Sequence, residues 1–483
     1  MRIYVLPILF LLLFVASCHN DTPKIYVPVT GVRVNKDVVW LEEGKQAKLE
    51  AVVYPDSASN KRVQWKSSDE SVVKVDNKGN ITATGGGEAE IIVTTQDNAW
   101  KSSSTCYVKA ENKGGRRFRR TVLVYFAADN TLEKFAAEDW AEITNGMKAL
   151  QDEDVRLLAY IDTGKNPRLV VLGYKDGKIC MSVEKLYESR NSVGVAETKE
   201  VFDYVFSSYP ADSYGLVYWS HGEGWVPKPL PSTRWIGQDT GDGTHYMNID
   251  GLVSVLEGAP HFDFIMFDAC FMQSVEVAYE LREYTDYYIG SPAENPGPGA
   301  PYDKIMPYLF QKGAATKIAS EYFAVYEAKY DEGRGISNTN WTGGTAICVL
   351  KTGELENLAA ATRAALTRVE ADGAKLRGQI FDCDRRDGHS SLYVGYFDFV
   401  EMMEMLVDDV SALNDWRQAF NAALGYWAST PKIFTAVTQS MFSMERSHGV
   451  THYIPSPEEK PKEAKAYRSM AWYLAAGLDE VGW

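Results

Sequence analysis

Two stretches of this chain end alike. "YGLVYWSHGEGW", Tyr214 to Trp225, runs apolar and stops at Ser220-His221-Gly222. "FDFIMFDACFM", Phe262 to Met272, runs apolar and stops at Asp268-Ala269-Cys270. A cysteine attacks a carbonyl as its thiolate, and a nearby imidazole can assist that attack or protonate the departing amine. N–H donors are also needed where the oxyanion forms. Gly222 offers a backbone N–H that no side chain shields. The N–H of Cys270 is expected at a strand-to-helix turn, where donors are unpaired and the dipole favours negative charge. The pieces suit acyl transfer. Singly, each has a plainer reading: a strand-end cysteine is usually a small core residue, and His-Gly is often just a turn.

Positioning them is the task of the flanking elements. From Thr121 onward, buried apolar runs such as "TVLVYFAAD" and "VRLLAYIDTG" alternate with amphipathic stretches. Leu132, Phe135, Ala136, Trp140 and Ile143 have helical spacing. "GGTAICVLKT" adds a later strand, and long helical stretches fall at 313–332, 354–372 and 397–424. The pattern predicts an α/β fold with a mostly parallel sheet covered by helices on both faces. Sites in such sheets form beyond the carboxyl ends of the strands. The histidine and cysteine strands are consecutive and separated by one helix, so they are expected to be neighbours.

The rest of the chain reads as delivery and spacing. Arg2 precedes an apolar run from Ile3 to Ala16, which predicts an export signal over 1–17. It ends "VASC", Val15 to Cys18, which resembles a lipobox; this implies lipid on Cys18, a tether over 18–28 and anchorage in a Gram-negative cell envelope, at the outer membrane or cell surface. Residues 29–110 alternate with period two between regular turns, as in a β-sandwich. Trp65-Lys66-Ser67-Ser68-Asp69, Val72, Val75 and the turn at Gly79 resemble the bacterial immunoglobulin-like group 2 domain, which implies a spacer. "ENKGGRRFRR", 111–120, reads as a solvated linker. A net charge of −15 over 483 residues argues against a nucleic-acid partner. Without the lipobox cysteine, five scattered cysteines remain, with no CxxC pair to suggest zinc or a disulfide framework.

The two opening stretches, with Asp263 through Leu309 as a whole, resemble the clostripain family of cysteine peptidases, and weaker similarity runs from Val122 to about Pro455. The resemblance implies a caspase-like fold over 121–483, Cys270 as nucleophile, His221 as acid/base partner, Gly222 and Cys270 as oxyanion donors, and peptide or protein substrates. It requires no cofactor and no third triad member. It also implies cleavage after Arg or Lys. Here the sequence departs from the family pattern, which has acids around "S-Q-E-x-E-P-G-x-G-W": Ala293 and Asn295 replace them, and Ala300 replaces the Trp. Asp268, Ser291 and Glu294 are the remaining pocket candidates. Some relatives depend on calcium, for which Asp239, Asp242 and Asp250 are weak candidates. Some relatives cleave themselves between the two strands, which points to Lys228 or Arg234. Two rival readings remain open: an inactive binding or adhesion lipoprotein on the same fold, and a transpeptidase.

Overall fold

A computed structural model describes residues 26–97, 101–111, 117–175, 177–225, 235–367, 369–385, 393–456 and 461–483. Cys18, Lys228 and Arg234 lie outside the described residues. The chain divides into two compact units near Lys113/Gly114, with Lys36–Val38 grouped with the second.

The first unit is built of short antiparallel strands. One sheet runs in the order Val38–Glu42, Ser103–Glu111, Gly87–Thr95, Val63–Ser67, and a second in the order Gln46–Lys48, Asn80–Ala83, Val73–Val75. Gly87–Thr95 shows why: Ala89, Ile91 and Val93 are buried and alternate with half-buried neighbours, the period-two pattern of a strand with one face on a core. Gly79 closes a turn with φ +80°, where a Cβ would lie 2.4 Å from the Leu49 carbonyl oxygen and 3.0 Å from the Trp65 ring. Only glycine fits both the angle and the space.

The second unit is organised by nine strands: β1 (Arg120–Ala127), β2 (Val155–Asp162), β3 (Arg168–Lys175), β4 (Lys178–Leu186), β5 (Tyr214–Trp219), β6 (Phe262–Asp268), β7 (Thr285–Gly290), β8 (Ala346–Lys351) and β9 (Leu424–Ser429). They form one sheet in the order β4-β3-β2-β1-β5-β6-β7-β8-β9. The central five strands are parallel, and β3, β4, β8 and β9 extend both flanks antiparallel. Apolar runs alone do not reveal strand direction, so the mixed flanks were not legible in the pattern.

Helices cover both faces. Leu216, Tyr218, Ile265 and Phe267 point to the face packed by α2 (Val195–Ser208) and α3 (Ile249–Leu256). Val217, Trp219, Phe264 and Met266 point to the face packed by α1 (Glu133–Leu150), α5 (Tyr302–Leu309) and α6 (Ala315–Glu327). Each large apolar side chain buried this way contributes roughly 1.5–3 kcal/mol. From β1 the chain departs to β2 on one side, whereas β5, β6 and β7 extend on the other. The order therefore reverses between β1 and β5, and a crevice opens there at the carboxyl ends.

One expectation changes. Arg120, read as part of a solvated linker, opens β1 and is fully buried. Its guanidinium donates to the Leu309 carbonyl (2.7 Å), Asp263 Oδ2 (2.7 Å) and Ser213 Oγ (3.2 Å). A buried charge persists only when paired and hydrogen-bonded in this way.

Candidate active site

The crevice gathers three loops. The loop after β1 carries Thr131, the loop after β5 carries His221, and the turn after β6 carries Cys270. Strands β5 and β6 pair in parallel, with Trp219 beside Asp268, so the residues following each emerge side by side. Ser220 pins the end of β5: its hydroxyl donates to the Ala127 carbonyl (2.7 Å) and accepts from the Gln238 N–H (3.2 Å). Asn130 pins the end of the β1 loop, donating to the carbonyls of Ala127 (3.0 Å) and Gln238 (2.7 Å).

His221 and Cys270 line one cavity of about 450 Å³. Their turns touch: a Cβ on Gly222 would lie 2.7 Å from the Cys270 carbonyl oxygen, 2.9 Å from the Ala269 methyl and 3.3 Å from the Cys270 nitrogen. Thr131 Oγ1 lies 2.8 Å from His221 Nε2. The Asn295 N–H donates to the Cys270 sulfur at 3.3 Å, a contact that suits a sulfur carrying negative charge. Gly222→Ala is expected to force these turns apart, lowering kcat about 10²-fold and also the melting temperature, because the Cβ meets backbone, read by steady-state kinetics beside thermal melting.

The turn at Cys270 differs from the expectation. The following helix α4 (Val275–Glu280) starts only at Val275, with Ser274 as its cap. Phe271 breaks the run with φ +58°. The helix end is therefore remote from the Cys270 N–H, and the donors near the sulfur come from loop backbone instead.

The cavity floor is acidic and buried. Asp268 Oδ2 accepts from the Ala300 N–H (2.9 Å) and the Tyr302 hydroxyl (3.0 Å), and Oδ1 accepts from Asn295 Nδ2 (3.2 Å). It organises the 295–302 loop and does not cap the next helix. Asp139, on α1, accepts from Trp219 Nε1 at 2.7 Å. A Cβ on Gly299 (φ +71°) would lie 3.1 Å from Asp139 Oδ2 and 3.2 Å from Asp268 Oδ2, so the two carboxylates approach one backbone point. Burial first, then the Asp268 charge, push the Asp139 carboxyl up to about 9. Burial likewise raises Asp268. A folded-state value above the unfolded one means that the native protein holds the extra proton, so stability falls as pH rises from about 4 to about 9. Asp139→Asn mimics the protonated form. It is expected to raise the melting temperature most near pH 9 and least near pH 4, read by melts across that range.

The other candidates divide. Glu294 lines the cavity, but its carboxylate accepts from Thr435 Oγ1 (2.6 Å) and the Ala436 N–H (2.8 Å); it ties down that wall. Ser291 does not line the cavity; its hydroxyl accepts from the Ala293 N–H at 3.2 Å. The weak calcium candidates do not converge. Asp239 Oδ2 accepts from the N–H and hydroxyl of Ser192, and its Oδ1 accepts from the Gly241 N–H. Asp242 pairs with His245, and Asp250 lies in the first turn of α3. Among the described residues, no group of three or more His, Cys, Asp or Glu side chains could hold a metal ion. His452, far along the chain, is buried and accepts from Trp472 Nε1 (3.0 Å), and desolvation lowers it to about 3.

Thr131, Asp139 and Trp219 were not singled out from sequence. Asp139 carried a signal: it sits four residues after Phe135 and four before Ile143, on the apolar stripe of α1, where a charge demands a partner.

A caspase-like sheet with an imidazole and a thiol over a buried carboxylate defines a class of cysteine peptidases, and comparison with known proteins agrees. Residues 124–452 match the clostripain family, and residues 28–105 match the bacterial Ig-like domain (group 2). The chain belongs to the clostripain family. A secreted C11 cysteine protease from Bacteroides thetaiotaomicron, solved with an irreversible peptide inhibitor, is 43% identical; the match covers 75% of this chain and 100% of that one, with a TM-score of 0.68. An inactive zymogen C11 protease from Parabacteroides distasonis is 30% identical, over 74% of this chain and 98% of that one, with a TM-score of 0.63. Clostripain from Hathewaya histolytica is 30% identical over 222 residues, 38% of this chain. The chain spans 41% of clostripain and 20% of an uncharacterised Clostridium acetobutylicum protein that it matches.

Proposed function

We propose that this protein is an exported, lipid-anchored cysteine endopeptidase that cuts after arginine or lysine. Cys270 passes its proton to His221 and attacks the scissile carbonyl as the thiolate, and the N–H groups of Gly222 and Cys270 receive the oxyanion. His221 protonates the departing amine, which leaves a thioester on Cys270. Water, deprotonated by His221, attacks the thioester carbonyl; the C–S bond breaks, the acid product leaves, and the proton returns to Cys270. Thr131 engages Nε2 of the ring, which assigns Nδ1 to the reacting side. No step is routed through calcium, because Asp239, Asp242 and Asp250 do not converge on one point.

One observation carries the reading: the Gly222 and Cys270 turns abut, and both reactive side chains open on a cavity floored by Asp268. The departures from the family pattern fit this floor. Ala293 is fully buried beside Phe271, where an acid would lose its hydration. Asn295 donates to Asp268, where another acid would instead crowd a further carboxyl against Asp268 and the protonated Asp139. A guanidinium or ammonium entering the cavity meets a carboxylate already desolvated, which strengthens the attraction.

The division into signal 1–17, lipid on Cys18, tether to 28, spacer 29–110, linker 111–120 and peptidase 121–483 belongs to this proposal, as does self-cleavage at Lys228 or Arg234. The test is turnover by the full chain of peptides that differ only in the residue before the scissile bond. Arg and Lys are expected to exceed Ala, Leu and Asp by about 10²-fold in kcat/KM. Preference for apolar residues would overturn the specificity.

A further inference from the structure

The residue after Cys270 is held in an unusual way. Phe271 has φ +58°, a left-handed conformation disfavoured for an aromatic residue, which persists only when its surroundings hold it. Its N–H donates to the Ala293 carbonyl at 3.0 Å. Its ring leaves the cavity side and stacks on Tyr396, with centroids 4.6 Å apart and planes 11° apart. The Tyr396 hydroxyl donates to the Glu223 carbonyl at 2.5 Å, two residues past His221. Gly224 packs between them: a Cβ there would lie 3.0 Å from Tyr396 Cε1 and 3.1 Å from the Phe271 carbonyl oxygen.

Tyr396 is itself well anchored. Its N–H donates to Asp382 Oδ1 at 2.7 Å, and its carbonyl accepts from the Cys383 N–H at 2.9 Å. It does not line the cavity. One side chain thus grips the histidine turn by a hydrogen bond and the cysteine turn by a ring stack, from behind the site.

We propose that Tyr396 is a positioning residue that sets the His221 turn against the Cys270 turn and so aligns imidazole and sulfur. The proposal rests on the reading of His221 and Cys270 as the reacting pair. Alignment to within fractions of an ångström governs such chemistry, so loosening the grip lowers kcat more than it raises KM.

Two variants of the full chain test it. Tyr396→Phe keeps the stack and loses the bond to the Glu223 carbonyl; Tyr396→Leu loses both. Expected are kcat losses of about 5-fold and about 10²-fold, with KM within about 2-fold. Labelling of Cys270 by iodoacetamide, which reacts with the thiolate but needs no bound peptide, slows by no more than kcat does. Labelling by a peptidyl acyloxymethyl ketone, which needs sulfur and imidazole aligned on a bound peptide, slows in step with kcat. Wild-type kcat in both variants, or losses confined to KM, would overturn the proposal. So would losses that follow a fall in melting temperature and vanish on cooling, which mark a merely structural role. If the leucine variant does not fold, the phenylalanine variant decides. Undiminished turnover by Cys270→Ala would instead remove the reading on which the proposal rests.

Discussion

Replacing Cys270 by alanine is expected to abolish peptide turnover, with a loss of about 10⁴-fold or more in kcat, while melting temperature and peptide binding persist. The sulfur sits in a turn fixed by Gly222 and Phe271, and alanine disturbs neither contact. Among the described residues no other thiol can substitute. Cys106, Cys348 and Cys383 are buried, and desolvation pushes the Cys348 and Cys383 thiols well above the usual range. Cys180 is partly exposed on β4 and is not in the cavity. Mass spectrometry after treatment with a peptidyl ketone should therefore find one adduct on the wild-type protein, at Cys270, and none on the variant. Undiminished turnover would end the thiol mechanism and favour a different nucleophile. Loss of turnover with loss of fold would leave Cys270→Ser as the deciding variant, expected to be equally inactive.

The second large effect is expected at the cavity floor. Asp268→Asn keeps shape and removes charge. On Arg and Lys substrates kcat/KM should fall about 10²- to 10³-fold, since a desolvated partner for the cation is lost. On substrates with Leu at that place it should change by less than about 3-fold. The amide also presents a donor among existing donors, the Ala300 N–H, the Tyr302 hydroxyl and Asn295 Nδ2. Some disorder of the 295–302 loop would follow, and the ratio between the two substrates removes that common loss. An equal fall on both would mean that Asp268 only holds the loop and that the charge preference lies elsewhere.

Much of this site was legible in the sequence because strands announce where they end. Apolar runs that stop at His221 and Cys270, with one helix between, implied parallel neighbours, and β5 and β6 are such neighbours. The β-sandwich was equally legible from its turn spacing, and the resemblance of residues 65–69 and the Gly79 turn to the group 2 domain agrees with the match over residues 28–105. What escaped depends on contacts between residues far apart in the chain. Tyr396 lies more than a hundred residues beyond Cys270 in an unpatterned stretch. Thr131 reaches His221 only because β1 lies beside β5. The helix dipole expected behind Cys270 failed because Phe271 leaves the right-handed region, and a phenylalanine gives no warning of that. Asp139 was within reach, as a charge on the apolar stripe of α1.

The far wall of the cavity has a different origin from its floor. Ile336, Asn338 and Trp341 come from the excursion between α6 and β8, and Phe434, Ala436 and Gln439 from a hairpin beyond β9. Neither excursion supplies a strand to the nine-stranded sheet. Insertions and exchanges there can retune which peptides fit while the reacting groups stay untouched, so relatives sharing this chemistry can diverge in diet by rewriting two short segments.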